Sequence, residues 1–119
     1  MRGMAATPRT IYRFGDILFI PDRQLLQYQG MNIELGSRSL DLLQLLVSRA
    51  GEVVSKVELI SFVWPDSRMN ASNLKVAVSA LRRALPPMQS GLPYIATVHG
   101  RGYRFVAPVD VTVEIIREG

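Results

Sequence analysis

The spacing of apolar residues changes twice along this chain, and this change constrains the fold more than any other feature. Apolar and polar residues alternate in short runs over residues 11–35, apolar residues recur every three or four positions over 40–85, and short strand-like runs return over 95–106. Alternation is typical of strands and the wider spacing is typical of amphipathic helices. The pattern predicts an α+β fold with a small antiparallel sheet, three helices and a C-terminal β-hairpin.

Turn-forming residues divide these regions into elements. Four strands are predicted at 11–14, 17–20, 25–28 and 31–35, and the hairpin strands at 95–98 and 103–106. The first helix ends before Gly51, the second begins at a capping box formed by Ser55 and Glu58, and the third runs from Asn70 to Leu85. The chain length suits one domain. We therefore expect a flexible arm at 1–10, the domain at 11–107, and a tail or linker start at 108–119.

Charge is distributed unevenly between the two halves of the chain. No acidic residue lies between Asp66 and Asp110, whereas that stretch carries six basic residues and a charge of +6. The remainder of the chain carries eight basic and ten acidic residues. A basic half in a weakly charged protein indicates a polyanionic partner, although a solvated basic surface would give the same pattern.

The third helix has an outer face that suits the major groove of DNA. Its apolar stripe is predicted to be Leu74, Val78, Leu81 and Leu85, and no carboxylate lies on the helix. The outer face and its flanks comprise Ser72, Asn73, Lys75, Val76, Ser79, Ala80, Arg82 and Arg83. Small and cationic side chains allow close approach to a polyanion. The same face could pack on a protein, because Val76 and Ala80 are apolar, so that alternative stays open.

The hairpin provides a second candidate contact. Arg101 lies between Gly100 and Gly102 at the predicted tip, where an arginine suits the negative potential of a minor groove. Thr97 can donate a hydrogen bond to a phosphate, and Arg104 can support phosphate contacts. His99 is expected to contact backbone or solvent. We expect core packing for at least one of the two aromatic residues that follow the tip.

The combined pattern resembles the winged-helix DNA-binding domain of the OmpR/PhoB class of bacterial transcription regulators. The matching segments are LDLLQLL at 40–46, GEVVSK at 51–56, VWP at 63–65, NLKVAVSALRRAL at 73–85 and IATVHGRGYRF at 95–105. The resemblance covers residues 11–107 and implies a four-stranded N-terminal sheet, a recognition helix at 71–85 and a hairpin wing.

The resemblance also implies roles for particular positions. Lys75, Ser79, Ala80 and Arg82 stand where members of the class contact bases or phosphates, and Thr97, His99 and Arg101 stand in the wing. The segment 64–70 stands where some members contact RNA polymerase. This chain has Ala77 and Ala80 where many relatives have histidine and arginine, so we expect a different target sequence.

The position of the domain near Met1 and Met4 leaves two interpretations open. If either methionine is the natural start, the arrangement resembles the ToxR-, CadC- and HilA-type regulators, in which a sensory or assembly portion follows the DNA-binding domain. If the leader is vector sequence, a receiver domain preceded this one. The full-length protein could be anchored in a membrane while this domain is cytoplasmic, and a dimer on DNA stays open.

Several functional classes lack the residues that they need. The chain has no cysteine and one histidine, which removes thiolate nucleophiles, disulfides and the common zinc sites. The Gly100 and Gly102 pair leads into a strand, so it does not form a nucleotide-binding loop. We therefore expect no catalytic residue, cofactor or metal. Sequence-specific binding of double-stranded DNA is the leading hypothesis, and a winged-helix protein-interaction module is the alternative.

Overall fold

A computed structural model of the chain describes residues 5–65 and 71–118. Eight strands and three α-helices follow one another in this part of the chain. Their bounds are β1 Ala5–Phe14, β2 Ile17–Ile20, β3 Leu25–Tyr28, β4 Met31–Asn32, α1 Ser37–Ser48, β5 Val53–Ser55, α2 Lys56–Val63, α3 Ala71–Ala84, β6 Ile95–Val98, β7 Gly102–Phe105 and β8 Asp110–Glu118. None of these helices is long and apolar enough to cross a membrane within the residues described.

The helices form where the apolar spacing predicts them. The predicted stripe of α3 is buried, and the fully buried leucines of α1 (Leu42, Leu43 and Leu46) pack against it in the centre of the domain. The capping box is confirmed: the Ser55 side chain accepts a hydrogen bond from the Glu58 amide, and the Glu58 carboxylate accepts one from the Ser55 amide. These two bonds satisfy amides that the first turn of α2 would otherwise leave unpaired.

Two side chains of α1 fix the other two helices. The Ser39 hydroxyl is buried and donates a hydrogen bond to the Ala77 carbonyl of α3 at 3.1 Å. The Arg38 guanidinium donates to the Val63 carbonyl at the end of α2 at 2.8 Å. A buried hydroxyl such as that of Ser39 fixes orientation because a misplaced partner would leave it unsatisfied, whereas Arg38 is exposed and its bond adds a contact at the surface. The angle at which α3 is presented to its surroundings is therefore set by α1.

The sheets differ from the sequence prediction in two ways. The N-terminal sheet has five strands in the order β4-β3-β2-β1-β8, rather than four. A flexible arm was expected at 1–10 and a tail at 108–119. This expectation was wrong for residues 5–10 and 110–118, because Ala5–Phe14 and Asp110–Glu118 pair antiparallel over nine positions. The alternating sequence VTVEI at 111–115 already permits a strand, but its partner lies about a hundred positions earlier, beyond the reach of local pattern.

The wing is a three-stranded sheet in the order β5-β7-β6 instead of an isolated hairpin. Its second strand is Gly102–Phe105, one residue earlier than predicted, and it pairs with β5 as well as with β6. Core packing was expected for at least one of Tyr103 and Phe105, and both are buried. The Phe105 ring lies 4.8 Å from that of Phe14, so the wing is packed on the N-terminal sheet as well as on the helices.

Candidate nucleic-acid interface

The outer face of α3 is exposed to solvent as its sequence predicts. Ser72, Asn73, Lys75, Val76, Ser79 and Arg83 are exposed, while Ala80 and Arg82 are partly buried. Val76 stands out because 69% of its surface is accessible. Ala77, in contrast, faces the core at 7% exposure. The missing histidine at this position therefore removes nothing from the exposed face, whereas the arginine missing at Ala80 does.

The wing tip is a tight turn with one exposed cation. The Arg101 amide donates to the Val98 carbonyl at 2.9 Å, which closes the turn, and Gly100 adopts a φ of +76° that other residues rarely occupy. His99 and Arg101 are both exposed at this tip. Gly102 is buried, because β7 passes directly against the backbone of β5 there. The tip is therefore held on a rigid base while Arg101 extends into solvent.

A groove of about 330 Å³ separates α3 from the wing. Its polar lining includes Lys56, Lys75, Ser79, Arg82, Thr97 and His99. Within residues 5–65 and 71–118, no carboxylate lines this groove. Two lysines, an arginine and two hydroxyl groups around a narrow cleft form a surface that attracts an anion through both charge and hydrogen bonding. Five of the twelve residues predicted to contact DNA thus line one groove.

Arg82 connects the helix to the wing. Its guanidinium donates two hydrogen bonds to the Ile95 carbonyl, at 3.1 Å from Nε and 2.9 Å from Nη2, and a third to the Thr97 hydroxyl at 2.8 Å. The guanidinium carbon also lies 5.6 Å from the centre of the Tyr103 ring. Arg82 was predicted only as a contact residue on the flank of the helix. In the structure it also fixes the separation between α3 and β6.

Arg104 does not join the groove. It is exposed on β7, directly opposite Ala96 and Val53, whereas Thr97 pairs with Tyr103 on the face that meets α3. Successive side chains of a strand point to opposite faces of the sheet, so Arg104 lies on the face away from Thr97. The sequence analysis predicted that Arg104 and Thr97 both contact DNA from the wing. The register of β7 places them on opposite faces of the wing sheet.

Lys56 is a groove residue that the sequence reasoning missed. It is the first residue of α2, directly after the Ser55 cap, and it reaches the same cleft as Lys75. The helix N-terminus carries a partial positive charge, so a lysine there adds to an existing attraction for anions. The sequence shows a cation next to a capping box, which could have drawn attention to Lys56. The sequence does not show that Lys56 lies close to α3.

The second helix ends at a buried tryptophan. Trp64 is 8% exposed and belongs to the core, as its apolar neighbours predict. Of the segment 64–70, to which the resemblance assigns polymerase contact, only Trp64 and Pro65 lie in the described part of the chain. Residues 66–70, including Asn70, where the third helix was predicted to begin, lie outside it.

Together, the two sheets, the three helices and the basic groove define a winged-helix domain of the OmpR/PhoB type. A family model described as "Transcriptional regulatory protein, C terminal" matches residues 30–105, and the chain belongs to this family. The match includes α1, α2, α3 and the wing, and it therefore includes the whole candidate interface.

Known regulators and solved domains are similar to this chain. It is 35% identical over 100 residues to the transcriptional activator CadC of Escherichia coli, covering 83% of this chain and 20% of CadC. It is 36% identical over 98 residues to the regulator HilA of Salmonella typhimurium, covering 82% of this chain and 17% of HilA. The chain thus spans about a fifth of the length of these relatives.

Two solved structures have the same fold. The DNA-binding domain of E. coli CadC superposes with a TM-score of 0.73 at 33% identity, covering 89% of this chain and 98% of that one. The DNA-binding domain of Klebsiella pneumoniae RstA, solved in complex with the RstA box, superposes with a TM-score of 0.67 at 26% identity. That alignment covers 81% of this chain and 96% of the RstA chain.

Proposed function

We propose that this domain binds double-stranded DNA in a sequence-specific manner to regulate transcription. The observation that carries the proposal is the basic groove between α3 and the wing, which no carboxylate lines among the residues described. In the proposed complex, α3 lies in the major groove, which is about 12 Å wide and admits one helix. The wing tip lies at the adjacent minor groove.

The groove itself suits the phosphate backbone between those two contacts. Lys56 and Lys75 supply charge, while the hydroxyls of Ser79 and Thr97 can donate hydrogen bonds to phosphate oxygens. Contacts to phosphates position a protein on DNA and carry no sequence information. We therefore assign Lys56, Lys75, Ser79 and Thr97 to positioning.

Sequence would be read by the part of α3 that faces away from the core. Arg83 is exposed and has no acidic neighbour on α3, and a bidentate arginine is the commonest contact to guanine. Val76 is exposed over 69% of its surface, which suits the methyl group of thymine. Ser72, Asn73 and Ala80 complete the reading face. An exposed valine also suits a protein surface, which is the observation that keeps the interaction-module alternative in view.

A salt titration tests the electrostatic part of the proposal. If four to six cations contact phosphates, the logarithm of affinity should fall with the logarithm of salt concentration with a slope of about −4 to −5. Lys56→Gln and Lys75→Gln should each make the slope less steep by about one. Arg23→Gln removes an equal charge from the exposed turn between β2 and β3 and should leave the slope unchanged. A slope near zero for the unmodified chain would favour a protein partner.

The wing is tested by changing its tip and the DNA beneath it. Arg101→Ala should leave folding unchanged, because the side chain is exposed, and should weaken binding by about 1–3 kcal/mol. The loss should be larger when the flanking sequence is rich in A·T pairs, since a narrow minor groove attracts arginine more strongly. Fluorescence anisotropy on two duplexes that differ only in that flank measures both quantities. Equal affinities of variant and wild type on both duplexes would remove the wing from the interface.

We further propose that the domain acts in the cytoplasm as part of a longer regulator, with a sensory or assembly portion elsewhere in that protein. This is supported by the match to about a fifth of CadC and HilA. Contact of the segment 64–70 with RNA polymerase is proposed from the resemblance alone. Co-precipitation of polymerase with wild type, but not with a chain whose 66–70 segment is replaced by glycine and serine, would support that contact.

A further inference from the structure

The outermost strand of the five-stranded sheet has an unpaired edge. β8 pairs with β1 on one side, and within residues 5–65 and 71–118 no strand pairs with its other side. A long exposed edge offers its amides and carbonyls to another strand, and proteins commonly protect such edges with proline or with charged side chains, lysine above all. Residues 110–117 contain no proline or lysine, and their charged residues are Asp110, Glu114 and Arg117.

One face of β8 is also apolar and uncovered. Val111, Val113 and Ile115 are 57%, 58% and 53% exposed, and we call these three residues the apolar stripe. Val111 lies opposite Tyr12, which is buried on the core side of β1. The stripe therefore continues the core-facing side of the sheet to a part of the sheet that no helix covers. An exposed apolar row on a strand edge indicates an interaction site.

The opposite face of β8 is polar and already paired within the chain. Arg9 lies 4.0 Å from Glu114, and Arg13 donates a hydrogen bond to Thr112 at 3.5 Å. These contacts come from β1, so they leave the outer edge of β8 available. A partner strand at that edge must therefore match an apolar row on one face and a row containing Thr112 and Glu114 on the other.

The strand itself meets this requirement when two copies pair antiparallel around a two-fold axis. A two-fold axis that pairs the strands antiparallel is perpendicular to the sheet, so each face of β8 stays on the same side in both copies. Opposite residues must therefore come from the same face, and the residue at the axis lies opposite its own counterpart. An axis at Glu114 places two carboxylates opposite each other, which is destabilising. An axis at Ile115 places Glu114 opposite Ile116, and Val113 opposite Arg117. An axis at Val113 pairs Val111, Val113 and Ile115 only with one another, and its one polar–apolar pair, Asp110 opposite Ile116, lies at the ends of the paired segment rather than beside the axis.

We propose that β8 pairs with β8 of a second copy of this chain in the register centred on Val113. In this register Val113 lies opposite its own counterpart, and Val111 lies opposite Ile115, so the two apolar stripes merge into one. Thr112 lies opposite Glu114 and can donate a hydrogen bond to it. The contact is the same patch on both copies, so it closes after two chains.

Disulfide cross-linking tests the register, because the chain contains no cysteine of its own. Directly opposite residues in antiparallel strands have Cα atoms about 4.5–5.5 Å apart, within the range that a disulfide spans. Val113→Cys should therefore cross-link to itself under mild oxidation. A mixture of Val111→Cys and Ile115→Cys chains should cross-link more than either variant alone. More efficient cross-linking of Glu114→Cys than of Val113→Cys would overturn the register.

Sedimentation equilibrium tests the association itself on the unmodified chain. We expect a monomer–dimer equilibrium, and Val113→Lys should raise its dissociation constant at least about tenfold by placing two cations opposite each other. Met31→Lys is the matched control, since Met31 is 74% exposed on β4 at the other edge of the same sheet. It should leave the dissociation constant unchanged. Thermal unfolding of each variant confirms that both are folded.

A monomer mass at all accessible concentrations, or equal effects of Val113→Lys and Met31→Lys, would refute the proposal. Neither result would bear on DNA binding, because none of the residues that line the basic groove belongs to β8. The affinity of a single domain for a short duplex is measured separately, so a failure of self-association and a failure of DNA binding are distinguishable.

Discussion

Two glycines of the wing offer the sharpest test of how this fold is held together. Gly100 and Gly102 are two residues apart, but only Gly102 is packed against other backbone. A Cβ built on Gly102 would overlap the Val54 carbonyl oxygen and lie 2.9 Å from its carbonyl carbon and 3.0 Å from the Ser55 Cα. A Cβ built on Gly100 has nothing within 4 Å. Gly100→Ala is therefore a matched control that carries backbone strain without the clash.

The expected magnitudes follow from these two surroundings. Alanine at Gly100 must keep a φ of +76°, which costs an L-residue about 1–2 kcal/mol. Alanine at Gly102 has a φ of +153° and must in addition push β5 away from β7, and overpacking of this kind costs about 1–3 kcal/mol or more. We expect a total of about 2–5 kcal/mol for Gly102→Ala, a large share of the stability of a small domain.

Chemical denaturation monitored by Trp64 fluorescence measures both changes in unfolding free energy. Because β5 leads directly into the Ser55 cap of α2, Gly102→Ala should also weaken DNA binding at temperatures where the chain is still folded. Equal losses of stability for the two variants, or a loss below about 1 kcal/mol for Gly102→Ala, would show that the contact between β5 and β7 is not tight.

Three further predictions follow from the structure. Trp64→Ala should lower the unfolding free energy by about 3–5 kcal/mol in denaturant titrations, because the side chain is buried; an unchanged midpoint would contradict this. Hydrogen bonds from Arg49, and then from the Ser55 amide, lower the pKa of Glu58 below its ordinary 4.5. The stabilising effect of the Glu58 carboxylate is therefore present above pH 4.5 and is lost on acidification. The difference in melting temperature between wild type and Glu58→Gln should shrink towards about pH 3. In a binding-site selection, Arg83→Ala should change the selected motif, whereas Arg104→Ala should leave the motif intact and at most weaken binding to all sequences alike.

Local pattern was sufficient to predict the helices and their faces. The apolar spacing of Leu74, Val78 and Leu81 determines which side of α3 is buried, because a helix has a fixed period of 3.6 residues. The capping box of Ser55 and Glu58 is likewise a property of four consecutive residues. The exposed face of α3 and the arginine at the wing tip followed from the same local rules.

Pairing between distant segments decided the rest. The bond from Arg82 to the Ile95 carbonyl, the entry of Lys56 into the groove and the position of Arg104 on the far face all depend on how α2, α3 and β7 pack together. The strand β8 depends on β1, about a hundred residues earlier in the chain. A strand or an isolated cation is compatible with many partners, and only the free energy of the whole packed domain selects among them.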